Sequence, residues 1–172
     1  APIKSVFYTH KEEFYVVEID GERPHETEFL ASWLRPEVTL WISLGLSHAV
    51  QFEQQVKDGL FENLDKAITH EFAMLPEYTQ KLVIIDGDVE LMVRALESIK
   101  QKGLTDANVV KCSKQALTAY QVMPDQTNFK IKLSEDASPR EYIFNRPLSK
   151  DLTIQLVMLE NLAKYLKIKP CS

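Results

Sequence analysis

The chain has 172 residues, of which 45% are hydrophobic and 26% are charged, enough apolar sequence for one globular domain with its own core. Its formal net charge is -5 and its basic residues are scattered, which argues against a nucleic-acid partner. No stretch approaches the roughly 20 apolar residues of a membrane span, and the amino terminus lacks a signal-peptide pattern, so we expect neither a membrane partner nor export.

Three short apolar runs are typical of buried strands in a parallel sheet, and each leads into a polar group. They are residues 14–17 before Glu18, residues 38–44 before His48, and residues 81–85 before Asp86 and Asp88. In open α/β sheets, ligands collect beyond the carboxyl ends of such strands. We therefore expect these polar groups to converge.

Helices are predicted between these strands. The apolar spacing indicates helices over residues 25–34, over residues 49–74 with a break near Gly59, and over residues 89–99. The first two stop before Pro36 and Pro76, and the third begins at Asp88 as its N-cap and ends at Gly103. A strand over residues 108–112 completes a β-α-β-α-β-α-β alternation with right-handed crossovers.

The pattern changes at Gln115, after which polar and apolar residues alternate over 118–123, 128–133 and 141–144. This alternation predicts a small antiparallel meander. A last helix follows over residues 149–167, capped by Ser149, with an apolar face made of Leu152, Leu156, Leu159, Leu162 and Leu166.

The predicted fold is therefore an α/β domain with a mostly parallel sheet flanked by helices. It forms a single domain over residues 1–172, with the parallel part over 1–113, the antiparallel part over 114–148 and the closing helix over 149–172. The two cysteines, Cys112 and Cys171, lie far apart and predict neither a disulfide framework nor a thiolate metal site. We expect reduced thiols and a cytoplasmic protein.

Three side chains are candidates for metal or phosphate chemistry, each with a structural alternative. Glu18, at the end of a predicted buried strand, needs either a cation such as magnesium or hydrogen bonds from loop amides. His48 suits a divalent metal or a phosphate, although a lone loop histidine is more often structural. Lys66 suits a phosphate or, as a carbamate, a metal, although a helical lysine is usually solvated.

The order of four segments carries a family resemblance. Residues 15–21, 34–48, 65–67 and 83–88 resemble the middle, ATP-binding domain of the Mur ligase family. These ligases join a carboxylate to an amine through an acyl phosphate at the expense of ATP. The resemblance implies a carboxylate substrate such as a cell-wall precursor, an amine, contacts with flanking domains, and the cofactors Mg²⁺ and ATP.

The same resemblance implies roles for the candidate residues. Carried over by matching position, Glu18 and His48 hold magnesium, and Lys66, carbamylated, helps to bind a second metal. The resemblance also implies that Asp86 and Asp88 are cofactor-binding residues.

The sequence also departs from the family pattern. A Gly-rich turn with Gly-Lys-Thr or Gly-Lys-Ser is absent from the 172 residues and would lie before residue 1. Ser43 stands where the family often has Asn, and Lys150 and Asp151 stand where His and Asn help to hold adenine. We therefore expect a fragment or divergent copy of an ATP-dependent carboxylate–amine ligase, inactive as an isolated chain. The alternative is a non-catalytic Mur-like binding or scaffold domain.

An unrelated enzyme class is the second alternative. Residues 83–89 resemble the nucleophile motif of haloacid-dehalogenase-type phosphatases, with Asp86 as nucleophile and Asp88 as acid/base. Against it, two predicted strands precede the motif, whereas that superfamily usually carries it on the first strand.

Overall fold

The computed structural model of the protein describes residues 14–21, 23–44, 50–135 and 137–168. Helices and strands alternate through the first two thirds of these residues, and an antiparallel unit and a helix follow. In chain order the elements are α1 (Glu26–Leu34), β1 (Val38–Trp41), α2 (Glu53–Lys57), α3 (Leu64–Tyr78), β2 (Leu82–Asp86), α4 (Glu90–Gln101), β3 (Asn108–Cys112), a 3-10 turn (Lys114–Ala116), β4 (Leu117–Val122), β5 (Thr127–Ile131), β6 (Arg140–Phe144) and α5 (Lys150–Leu166). The predicted α/β fold is confirmed.

The first sheet is parallel, with the strand order β1-β2-β3. Leu40 of β1 lies opposite Ile84 of β2, which in turn lies opposite Val110 of β3. Every residue of the central strand β2 is buried, as its continuous apolar run predicts. The carboxyl ends of the three strands therefore share one edge of the sheet.

The two faces of β2 belong to two different cores, because successive side chains of a strand point in opposite directions. Val83 and Ile85 pack with residues of α1, α3 and α4, whereas Leu82 and Ile84 pack with α5 and the second sheet. The first core includes Ala31, Trp41, Ile68, Phe72, Met92 and Leu96, and the second includes Phe129, Ile131, Ile154, Val157 and Met158. This three-layer packing holds the end of β2 between helices on both sides.

The second sheet is antiparallel, with the order β4-β5-β6, as predicted. Phe129 of β5 lies opposite Tyr142 of β6, and their rings stack with centroids 5.3 Å apart. Arg140 Nη1 lies 2.8 Å from the buried Glu160 Oε2, which ties β6 to α5.

The predicted first strand over residues 14–17 is wrong. These residues belong to neither of the two sheets in the described part of the chain, and all four side chains are exposed, Val16 at 97%. Glu18 is exposed as well, so it does not end a buried strand. An apolar run becomes a strand only where a neighbouring strand and a covering layer are available, and three parallel strands rather than four are formed by the described residues.

The long helix predicted over residues 49–74 is divided, as expected near Gly59, where φ is +73°. The prediction that it ends before Pro76 is wrong, because α3 continues to Tyr78. Pro76 lies in the last turn of α3, where its missing N–H removes only one of the helical hydrogen bonds.

The predicted start of α4 is also wrong in one detail. Val89, not Asp88, occupies the N-cap position, and no side chain caps that helix end. Its predicted end is confirmed, because Gly103 follows Lys102 with φ at +67°.

The inward face of α5 includes only part of the predicted leucine row, because Leu156 and Leu162 pack against the second core. Leu152 and Leu159 are 47% and 49% exposed, whereas Ile154, Val157 and Met158 are buried. Both rows satisfy the helical repeat, and the contact with β2 decides which of them faces inward. No helix within the described ranges is long and apolar enough to cross a membrane.

Candidate functional site

The turn after β2 is hydrogen-bonded to the end of β3. Gly87 N donates to Cys112 O at 2.6 Å, and Asp88 N donates to Asp86 Oδ1 at 2.9 Å. A Cβ atom at Gly87 would lie 2.9 Å from Cys112 O, so the close approach of the two backbones requires glycine here. Asp86, which is 7% exposed, is thereby fixed at the edge of the sheet.

Asp88 links this turn to the residues that follow β3. Its Oδ1 accepts from Ser113 Oγ at 2.8 Å, and its Oδ2 accepts from Lys114 N at 2.8 Å. Both carboxylate oxygens are therefore engaged by donors from the same short segment. This bonding explains why Asp88 does not cap α4.

Lys114 carries the same network to the start of α5. Its Nζ lies 2.7 Å from Asp151 Oδ1. This hydrogen bond raises the pKa of Lys114, and the negative charges of Asp151, Asp86 and Asp88 act in the same direction. The N-cap of α5 is Ser149, whose side chain accepts from Leu152 N, as predicted. The start of α5 thus lies beside the carboxyl edge of the parallel sheet.

Cys112 forms the buried side of this region. It is 3% exposed, and Asn161 Nδ2 of α5 lies 3.4 Å from its sulfur. Burial, together with the negative charge of Asp86, raises the pKa of the Cys112 thiol to about 11. The thiol is therefore neutral and poorly nucleophilic at neutral pH.

The structure brings Asp86 and Asp88 together, but it leaves the other predicted residues apart or outside its range. His48 lies outside the described residues. Glu18 is exposed in the segment 14–21. Lys66 lies in the first turn of α3, where its Nζ pairs with the Glu62 carboxylate. This pairing lowers the pKa of Glu62. Within the described ranges, no hydrogen bond or ion pair joins Glu18 to Lys66.

A complete metal site is not formed by the described residues. They contain no group of three or more His, Cys, Asp or Glu side chains that could hold a metal ion. The oxygen ligands that magnesium prefers are present at Asp86 and Asp88, but the Asp88 oxygens already accept hydrogen bonds. The convergence of Glu18, His48 and Lys66 around a cation stays a prediction.

Ser113 and Lys114 also belong to this edge of the sheet, and neither was among the predicted site residues. The available signal was their position directly after the third parallel strand, where the rule that located Asp86 also applies.

Comparison with known proteins supports the fold. The chain is similar in structure to MurF from Acinetobacter baumannii, a Mur ligase, with a TM-score of 0.70 and 13% sequence identity. The similarity covers 98% of this chain and 34% of the MurF chain, so the chain spans about a third of that protein. No protein-family model matches the sequence. No curated protein matches it either. At this level of identity the similarity shows a Mur-ligase-like fold and not an activity.

Proposed function

We propose that this chain is part of the central, ATP-binding domain of an ATP-dependent carboxylate–amine ligase, either a fragment or a divergent copy. The observation that supports this proposal is the structural similarity to MurF over 98% of the chain. In such a reaction a carboxylate attacks the γ-phosphate of ATP, giving an acyl phosphate and ADP. The amine then attacks the acyl carbon and releases phosphate, which leaves an amide bond.

The proposed roles follow the sequence resemblance. In the complete protein, Glu18 and His48 would hold a metal ion, Lys66 as a carbamate would help to hold a second one, and Asp86 and Asp88 would face the nucleotide. Two of these side chains are accessible to a ligand, because Glu18 is exposed and the side chain of Lys66, which pairs with Glu62, is 61% exposed. When bound, magnesium would neutralise the charge that develops on the phosphates.

The described residues do not by themselves fit magnesium–ATP. They form no three-ligand metal group, and the 172 residues contain no Gly-Lys-Thr or Gly-Lys-Ser turn to hold the phosphates. We therefore propose that catalysis needs further parts of a longer protein and that the isolated chain is inactive. The proposed substrates are a carboxylate-bearing cell-wall precursor and an amine, in the cytoplasm, with the flanking domains as partners.

The test uses the longest natural gene product that contains this chain. Phosphate release from ATP is measured with a carboxylate precursor and an amine supplied together and separately. We expect release only when both are present, and a loss of about 100-fold or more for Glu18→Gln and for His48→Ala. Glu53→Gln is the matched control, because Glu53 lies on the surface of α2, where it pairs with the neighbouring Lys57. Full activity of Glu18→Gln and His48→Ala would contradict the proposed metal ligands.

One observation favours a non-catalytic domain as the second candidate. Both oxygens of Asp88 and the amine of Lys114 are already bonded within the protein, so the edge of the sheet is occupied by its own side chains. A longer gene product that has no Gly-Lys-Thr or Gly-Lys-Ser turn and does not bind ATP would support this candidate over the ligase.

The phosphatase alternative is not favoured. Its acid/base residue would be Asp88, but that carboxylate accepts from Ser113 Oγ and Lys114 N, and the fold is similar to a Mur ligase.

A further inference from the structure

Glu71 is a buried carboxylate on α3 that binds the start of another helix. It is 4% exposed, its Oε2 accepts from His25 N at 2.8 Å, and its Oε1 accepts from Thr27 N at 2.8 Å. A buried carboxylate is costly unless donors satisfy it, and here two backbone amides from a distant part of the sequence do so.

These bonds replace the side-chain capping hydrogen bond that α1 lacks at its N-terminus. The residue at the N-cap position is His25, which has a left-handed backbone with φ at +68° and makes no side-chain cap hydrogen bond. The first N–H groups of a helix have no partner inside the helix and carry partial positive charge. Glu71 satisfies two of these N–H groups from α3, so it fixes where α1 begins relative to α3.

The segment that carries Glu18 ends at Gly21, which packs against residues of α1 and α3 beside the Glu71 hydrogen bonds. A Cβ atom at the buried Gly21 would lie 2.4 Å from Thr27 Oγ1 and 3.3 Å from Phe72 Cζ. Thr27 is fully buried in the first turn of α1, and Phe72 follows Glu71 on α3. The end of the segment is therefore confined between the two elements that Glu71 joins.

We infer that Glu71 is a positioning residue, which sets the placement of the Glu18 segment relative to the part of α3 that carries Lys66. Glu18 lies three residues before Gly21, and Lys66 lies five residues before Glu71, roughly 7.5 Å along the helix axis. One carboxylate thus connects the two stretches of chain that must meet in the metal site. The choice of Glu18 and Lys66 as the groups to be placed depends on the proposed function.

The placement is measurable on this chain without nucleotide. A nitroxide label is attached to Lys66→Cys in a Cys171→Ser background, and Cys112 stays because it is buried and its pKa is raised to about 11. The label broadens the NMR signals of nearby amides, and we expect broadening at residues 18–21. In Glu71→Gln and Glu71→Ala we expect that broadening to fall, and the amides of His25 and Thr27 to exchange with solvent about tenfold faster.

Two controls separate positioning from general loss of structure. Glu77→Gln changes another carboxylate on α3 and should leave the broadening at residues 18–21 unchanged. The amides of β2 should keep their parent exchange rates in every variant, because β2 lies in the core beyond the contact.

Unchanged broadening in both Glu71 variants would overturn the inference. Unfolding of both variants would overturn it as well, since Glu71 would then support the whole core rather than one segment. The label experiment uses no ATP, so its result is independent of the activity assay. If the broadening falls as expected but the longer protein does not use ATP, the inference about Glu71 stands and only the proposed function is lost. Conversely, ATP-dependent ligation with unchanged broadening supports the function and removes the role of Glu71.

Discussion

Asp88 Oδ1 accepts a hydrogen bond from Ser113 Oγ at 2.8 Å across 25 positions of the sequence. The bond joins the turn after the central strand to the residue that follows the neighbouring strand. The second oxygen of Asp88 accepts from Lys114 N, so the two strand ends are held by one carboxylate. This edge of the sheet is therefore a bonded unit rather than a set of independent loops.

Replacement of Asp88 by alanine should weaken that unit. We expect Asp88→Ala to lower the free energy of unfolding by about 1–2 kcal/mol, because two hydrogen bonds to a charged acceptor are lost and both donors remain accessible to water. Urea unfolding measures the change. Asp125→Ala, at an exposed turn between β4 and β5, is the control and should stay near the parent value. Equal stability of the two variants would show that the Asp88 bonds contribute nothing.

The ion pair between Arg140 and Glu160 should show strong coupling. Glu160 is 7% exposed, so Arg140→Met leaves a buried carboxylate without its cation and should cost about 1–3 kcal/mol in unfolding free energy. The double change Arg140→Met with Glu160→Met removes the unpaired charge and should restore most of the loss. A double-mutant cycle by urea unfolding measures the coupling, and purely additive effects would contradict it.

Burial of the Cys112 thiol should make stability depend on pH in the alkaline range. The folded-state pKa of about 11 lies above the ordinary value of 9.0, so the folded protein holds this proton more tightly than the unfolded chain does. The resulting stability is complete below pH 9.0 and is lost as pH rises toward about 11. We expect this group to account for a decrease of about 2 kcal/mol between pH 8 and pH 10.5.

Cys112→Ala provides the comparison for that measurement. Other groups titrate in the same range in both proteins, so the difference between the two pH slopes isolates the thiol. The alanine variant should have lower stability at pH 8 because a buried side chain is shortened, but it should have the shallower slope. Identical slopes would mean that the thiol titrates in the folded state as it does in the unfolded chain.

The isolated chain should bind magnesium–ATP weakly. Because the sequence contains no Gly-Lys-Thr or Gly-Lys-Ser turn, we expect a dissociation constant above about 1 mM by isothermal titration calorimetry. The longer gene product, measured under the same conditions, is the positive control. Tighter binding by the isolated chain would show that the phosphates are held by residues present here.

The sequence predicted elements whose causes are local. The continuous apolar run of β2 predicted a strand buried on both faces, and the cap at Ser149 and the ends at Gly59 and Gly103 depend on a few neighbouring residues. The same strand-end rule located Asp86 and Asp88 at the edge of the sheet. Glu18, His48 and Lys66 remain a prediction taken from a family resemblance.

The tertiary structure alone decided the partners of distant residues. The strand-end rule places Ser113 at the same edge as Asp88 but does not pair the two residues. Nothing near Glu71 in the sequence indicates the start of α1, which lies more than 40 positions away. It also decided that Val157 and not Leu159 faces the core, and that residues 14–17 lie outside the two sheets that the described residues form. Periodicity and capping act over one or two turns of chain, whereas burial and long-range hydrogen bonds depend on which elements pack together.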